Sequence, residues 1–306
     1  MADLTTPVHV PVLLSCVLAA AAGARRVVDA TLGDGGHAGA LRQSGAAVLG
    51  IDRDPAAIGV SRQRLGDDGV QYVEAAYDAP ATLAAVAAYE PDFILLDLGV
   101  SSRQLDQQER GFTFRPGAPL DMRMDGAGRA AAAFLNAEDE VEIARVFYEY
   151  GDERRSRRLA REIVRRRGRQ PFAVSDDLVN AIRATLGPRA GPSEFARLFQ
   201  AVRIAVNNEL AGLARALPAF RDALRPGGRL AVITYHSGED RLVKRAFREW
   251  ASACLCPPGQ PICMCRGRPL GRVDPRKPIV PGPDEVAANP RARSAHLRIF
   301  QVGDAA

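Results

Sequence analysis

At 306 residues, 47% hydrophobic and 25% charged, the chain has the composition of a soluble globular protein able to bury a sizeable core. It holds no apolar run long enough to span a bilayer. Residues 10–22 are apolar, but the start before them has no Lys or Arg, so a secretory signal is excluded and a cytoplasmic location is expected. The formal net charge of +5 is carried almost wholly by arginine, which permits an anionic partner such as nucleic acid without requiring one.

Residues 10–22 read as a strand or helix leading into the fold. Apolar strand-like runs follow at residues 26–32, 46–52, 70–75 and 92–99. Helix-length segments separate them at about residues 37–44, 55–65 and 80–89, with Pro55 and Pro80 in first turns, where a missing N–H costs nothing. Strands alternating with helices predict a parallel sheet covered on both faces. The alternation stops near Arg103. A Gly/Pro-containing stretch, RGFTFRPGAPLDMRMDGAG, leads into helices, among them residues 138–150 and a very basic segment with Leu159 and Ile163 on one face. The αβ pattern returns with a helix at 209–224, a turn at Pro226-Gly227-Gly228, a strand at 229–235, a helix at 239–251 and a last strand at 296–302. We therefore expect one α/β domain, residues 1–102 and 209–306, interrupted by an inserted helical, substrate-recognition domain, residues 103–208.

The loop after the first strand, VVDATLGDGGHA at residues 27–38, has the glycine spacing of a nucleotide-binding turn and lies where open α/β sheets bind ligands. Asp29 and Asp34 would repel a pyrophosphate, and no lysine precedes Lys244 to serve a triphosphate. S-adenosylmethionine carries a sulfonium and an ammonium, which carboxylates suit, and Asp52 at the end of the second strand is placed for ribose hydroxyls. The loop prefers a cationic cofactor.

These stretches, with GIDRDPAAI, ILLDLGVSSRQLD, LDMRMD, FQAVRIAVNNEL, TYHSGEDRLVKRAF and NPRARSAHLRIF, resemble the bacterial small-subunit ribosomal RNA methyltransferase H family over nearly the whole chain. The resemblance implies a class I S-adenosylmethionine-dependent methyltransferase, a Rossmann-like doubly wound sheet with an inserted helical domain. It implies N4-methylation of a cytidine in the decoding region of 16S rRNA, and as partner the small-subunit rRNA or the assembling 30S subunit. It places Gly35, Gly36 and His37 against the methionine part of the cofactor, Asp52 at the ribose and Tyr77 on the adenine side, with Asp97 and Gln104 completing the site. The chain departs from the family at Tyr235 and Gly238, where Phe and Leu are common, and in PSEFARLFQAVRI, where H-P-A-T-R-x-F-Q-A-L-R-I is usual.

The motif D-P-P-[YF] that many amine methyltransferases place after the fourth strand is absent; the chain reads Asp97-Leu98-Gly99-Val100-Ser101-Ser102. Asp121 and His236 are the candidate catalytic residues. Between Asp152 and Arg169 nine arginines face three acids, so phosphate contact is expected there, with Arg165, Arg166 and Arg167 as candidates. Four cysteines, Cys254, Cys256, Cys263 and Cys265, form two C-x-C pairs that could hold structural zinc or stand as thiols in a substrate-facing loop. An NAD-dependent oxidoreductase and a non-catalytic RNA-binding assembly factor are the alternative functions, and the sequence leaves the oligomeric state, a homodimer among the readings, open.

Overall fold

The structure, a computed structural model, describes residues 10–257, 259, 260, 262 and 264–303. The chain divides into two compact units, one made of residues 1–99 and 212–306, the other of residues 100–211.

The first unit opens with helix α1 (Leu14–Ala20) and then alternates: β1 (Arg26–Asp29), α2 (Gly36–Gln43), β2 (Ala47–Asp52), α3 (Pro55–Leu65), β3 (Val70–Glu74), α4 (Pro80–Tyr89) and β4 (Phe93–Asp97). The second unit is helical: α5 (Ser102–Asp106), α6 (Ala131–Ala137), α7 (Glu140–Glu149), α8 (Ser156–Arg167), α9 (Ser175–Leu186) and α10 (Pro192–Asn207). Helix α11 (Glu209–Ala223) is followed by β5 (Arg229–Thr234), α12 (Ser237–Ala251), β6 (Gly271–Val273), α13 (Pro283–Ala288) and β7 (His296–Val302).

The seven strands run in the order β3-β2-β1-β4-β5-β7-β6. β1 to β5 are parallel, and β7 lies antiparallel between β5 and β6. Successive strand residues point to opposite faces, and both faces are apolar. Val27, Val48, Phe93, Leu95, Ala231 and Ile233 pack with Val17 of α1 and Leu41 of α2. Their neighbours Val28, Leu49, Ile94, Leu96, Leu230 and Val232 pack with Val86 of α4, Phe220 of α11 and Phe247 of α12. The sheet order reverses at β1 and β4, so the carboxyl ends of these strands frame the crevice of the fold.

Two elements differ from the sequence reading. β6 is only three residues long and has no alternating apolar pattern to announce it. β1 ends at Asp29, so Ala30 to Leu32 belong to the turn, not to the strand.

The helical unit has its own core. Leu159 and Ile163 of α8 are fully buried with Phe147, Leu178, Ile182, Leu198 and Val202. The LDMRMD stretch is tied into it: Met122, at φ 63°, occupies the left-handed region. The Asn207 amide holds it there, with Nδ2 donating to the Met122 carbonyl at 2.7 Å and Oδ1 accepting from the Met124 amide at 2.9 Å. Asn207 is buried, so removing its side chain strands two main-chain groups. We expect Asn207→Ala to lower unfolding free energy by about 2–4 kcal/mol, read from urea titration. An unchanged midpoint would show that this amide does not hold the turn.

Candidate active site

The carboxyl ends of β1, β2, β4 and β5 carry the chemistry of the first unit. Asp29, Asp52 and Asp97 are the last residues of their strands, and Tyr235 follows the last residue of β5. Between β1 and α2 the chain turns through Gly33 (φ 53°) and Gly35 (φ 74°). A Cβ on Gly35 would lie 2.9 Å from Ser61 Oγ, and one on Gly36 would lie 2.6 Å from Pro11 Cγ, so close packing as well as backbone sign calls for glycine here.

The turn is fastened at several points. Asp52 Oδ2 accepts from the Gly33 amide at 2.8 Å while Oδ1 accepts from the Asp54 amide at 2.8 Å. The Ser61 hydroxyl donates to the Gly33 carbonyl at 2.8 Å. Thr31 Oγ1 accepts from the Asp97 amide at 2.6 Å, joining the turn to the end of β4. No side chain caps the start of α2.

Asp97 is the centre of the cluster. The Tyr235 hydroxyl donates to its Oδ1 at 2.8 Å, and His37 Nε2 lies 3.5 Å from its Oδ2. His37 is buried, yet neither of its ring nitrogens has a hydrogen bond of good geometry among the described residues. Burial works against a charged His37, but the Asp97 carboxylate, with Asp29 and Glu285 behind it, outweighs burial and raises its pKa. Burial also raises Asp52, partly offset by the amides of Asp54 and Gly33. Asp29, almost inaccessible to water, is pushed up to about 6 by burial, against the pull of His37 and the Thr31 amide. Burial and the neighbouring Asp97 push the Tyr235 phenol up, so it stays a hydrogen-bond donor at neutral pH.

A second feature lies at the end of β5. Tyr235, His236, Ser237, Asp240, Arg241, Lys244, Ser294 and His296 line a cleft of about 510 Å³. Its rim carries Arg241 and Lys244. Tyr235 belongs both to this cleft and, through its hydroxyl, to the Asp97 cluster.

The residues singled out from sequence divide as follows. Gly35, Gly36, His37, Asp52 and Asp97 come together around the β1–α2 turn. Tyr77 follows β3, half-buried, its ring 6.4 Å from that of Phe220. Gln104 belongs to the other unit, where it is buried and forms a capping box with Ser101: its Oε1 accepts from the Ser101 amide and its own amide donates to Ser101 Oγ. Asp121, also in that unit, is held by Arg123 Nε and Nη2, each at 2.8 Å, and this pairing lowers its pKa, which makes it a poor proton acceptor. His236 is the N-cap of α12. Its Nδ1 accepts from the Glu239 amide at 3.4 Å, and its Nε2 lies 3.1 Å from Glu239 Oε1 without hydrogen-bond geometry. The imidazole is thus engaged in starting a helix.

The arginine triplet also has internal partners. Arg165 and Arg166 both bind the Glu162 carboxylate, and Arg167 donates to the carbonyls of Leu135 and Glu138. Exposed charge on α8 sits instead at Arg157 and Arg158, which make no ion pair or hydrogen bond among the described residues. In the sequence Tyr235 stands out only as a departure from the family; a hydroxyl at the end of a strand is the signal that could have pointed to it.

The family model of the MraW methylases matches residues 6–302. The chain belongs to the MraW methylase family. The ribosomal RNA small subunit methyltransferase H of Gemmatimonas aurantiaca is 56% identical over 303 residues, covering 96% of this chain and 95% of that protein. The protein of that name from Heliobacterium modesticaldum is 46% identical, covering 95% and 97%. Among solved structures, the rRNA methylase from Streptococcus thermophilus is similar at a TM-score of 0.40 and 12% identity, covering 99% of this chain and 100% of that one. The doubly wound sheet described above is the fold of this methylase, and its cofactor is S-adenosylmethionine.

The residues present fit that cofactor. Asp29, Asp52 and Asp97 suit a ligand with cationic centres and oppose a pyrophosphate. The buried His37 ring, lacking a well-formed hydrogen bond, and the uncapped start of α2 supply donors for a carboxylate group.

Asp29 generates a pH prediction. Its folded pKa, about 6, lies above the ordinary 3.8. The native state therefore favours the protonated acid; that stabilisation is complete below 3.8 and is lost as pH rises through about 6. Asp29→Asn should then stabilise the ligand-free protein by about 2–3 kcal/mol at pH 8 and by nearly nothing at pH 3.5. Urea titrations of both proteins across this range check it. A gain independent of pH would mean that Asp29 is not held neutral.

Proposed function

We propose that this methylase transfers a methyl group from S-adenosylmethionine to the exocyclic N4 of a cytidine in the decoding region of small-subunit ribosomal RNA. Methylation of small-subunit rRNA is the activity its relatives are named for. The observation that carries the finer reading is Tyr235, which ties the Asp97–His37 cluster to a cleft of about 510 Å³ with a basic rim. That volume accommodates a nucleotide.

In this reading Gly35, Gly36 and His37 bind the methionine end of the cofactor, Asp52 the ribose and Tyr77 the adenine side, with Asp97 at the cationic centres. When bound, S-adenosylmethionine would supply a methyl group on a positively charged sulfur, whose transfer to the amine would leave a neutral thioether and an amine with one proton to give up. Tyr235 presents its ring to the cleft and keeps its proton, so it orients without competing as a nucleophile. Arg241 and Lys244 meet phosphate at the rim. His236 fixes the turn that shapes the cleft, and Asp121 with Arg123 fixes the LDMRMD turn. A cytidine in a paired or stacked context must be turned out to enter such a cleft.

The alternative oxidoreductase reading loses its ground with the cofactor. A non-catalytic assembly factor would bind RNA but transfer nothing. Mass spectrometry of small-subunit rRNA nucleosides separates these. Incubating 30S subunits from a strain lacking this protein with the enzyme and S-adenosylmethionine should restore N4-methylcytidine at one position. Methyl transfer to carbon 5 of cytosine, or to another base, would overturn the N4 assignment while leaving the methylase activity.

The RNA surface is tested separately. Because Arg165, Arg166 and Arg167 have partners within the protein, we place the phosphate contacts chiefly at Arg157 and Arg158. The double variant Arg157→Gln/Arg158→Gln should bind RNA more weakly, with the slope of log K against log salt smaller by about 1.4–1.8, and S-adenosylmethionine affinity unchanged. The same slope in both proteins would show α8 to be only a solvated face.

A further inference from the structure

The segment from Ser252 to Leu270 has no helix or strand among its described residues. Nor has it an apolar core: Leu255 is 44% exposed, Ile262 72% and Met264 79%. A loop of this length, unsupported by burial, is uncommon unless something else fixes it.

Its cysteine sulfurs converge. The Sγ atoms of Cys254, Cys256 and Cys265 all lie within 4.8 Å of one another. Thiolates on one tetrahedral zinc ion, with Zn–S near 2.3 Å, stand about 3.8 Å apart, so these sulfurs need shift only slightly to share an ion. Main-chain amides are aimed at each sulfur: Leu255 N lies 3.2 Å from Cys265 Sγ, Cys256 N 3.4 Å from Cys254 Sγ, and Met264 N 3.3 Å from Cys256 Sγ. The surrounding backbone is braced. The Arg266 guanidinium donates to the carbonyls of Glu249, Trp250 and Ser252 at the end of α12, and Leu270 N donates to the Trp250 carbonyl at 2.8 Å.

The geometry points to a structural zinc site in which Cys254, Cys256 and Cys265 are thiolate ligands. Zinc is favoured because a soft, tetrahedral, redox-inert ion matches clustered thiolates with no open catalytic position required. Cys263, the remaining cysteine of the two sequence pairs, lies outside the described residues, and the inference stands on the other three. The ion takes the place of a core and holds the loop, whose Ile262 and Met264 are exposed.

The test uses full-length protein without a histidine tag, purified under reducing, chelator-free conditions and then given Zn²⁺ and desalted. Elemental analysis should find about one zinc per chain, falling at least about tenfold in Cys254→Ser/Cys256→Ser/Cys265→Ser. In the same variant, amide hydrogen exchange should speed up at Leu255, Cys256 and Met264 and stay unchanged in α2 and β4, which shows that the fold survives. Replacing zinc by Co²⁺ should give thiolate-to-cobalt charge-transfer absorption, absent from the variant. Wild-type protein that retains no zinc, zinc retained equally by the variant, or a disulfide among these cysteines in the reduced preparation would each overturn the site.

Discussion

Three carboxylates at the ends of three neighbouring parallel strands are the constraint on which the first unit depends. β1, β2 and β4 are adjacent in the sheet, so Asp29, Asp52 and Asp97 are brought together by backbone register and cannot move apart. The surrounding structure answers them group by group. Amides of Gly33 and Asp54 serve Asp52, the Thr31 amide serves Asp29, and the Tyr235 hydroxyl serves Asp97. Glycine is needed in the turn because Gly33 and Gly35 take positive φ and a Cβ on Gly35 or Gly36 would meet Ser61 or Pro11. Positive charge is scarce beside them: Arg53 acts on Asp52, and the buried His37 ring faces Asp97. A cofactor with cationic centres fits this acidic arrangement, in which Asp29 is pushed up to about 6 chiefly by burial, with Asp97 and Asp52 as smaller causes.

Much of this was legible in the sequence because the signals were local. The alternation of apolar runs with helix-length segments, broken after Gly99, gave the sheet and the interruption. A glycine-rich turn with Asp29 before it and Asp52 ending the next apolar run pointed to a cationic ligand, and the family resemblance added Asp97. β6 escaped because Gly271–Val273 is too short to show a period and is a strand only by pairing with β7. Tyr235 escaped as a functional group because its partner is far away in sequence and becomes a neighbour only through the pairing of β4 with β5. His236 was read as chemistry, although a polar residue just before a helix, with Glu three positions later, is also the pattern of a capping box.

The arginine-rich helix shows why counting charge along a segment misleads. Glu162 sits three and four residues before Arg165 and Arg166, the spacing at which helical side chains meet, and it engages both. Arg167 is turned towards main-chain carbonyls at the end of α6. Six surplus positive charges in the sequence therefore become a smaller number of available ones, and these lie nearer the start of α8. The i,i+4 rule applied to the sequence alone could have shown this.

On the proposed N4 reading, the same accounting bears on the proton that must leave the exocyclic amine. Asp121 is neutralised by Arg123, His236 is spent on the start of α12, and Asp97 already accepts from Tyr235 and faces His37. No carboxylate or imidazole among these is left poised as a strong base. An amine that has taken a methyl group carries a positive charge and gives up a proton readily, so a strong base is not what the reaction needs. The demanding step is to bring a weakly nucleophilic nitrogen into line with the methyl group and to keep it there with water excluded. A rigid strand end, a phenol that remains protonated and a cleft of fixed shape meet that demand. In this site orientation does the work that a general base does elsewhere, and the residues that look catalytic by type serve to hold the geometry.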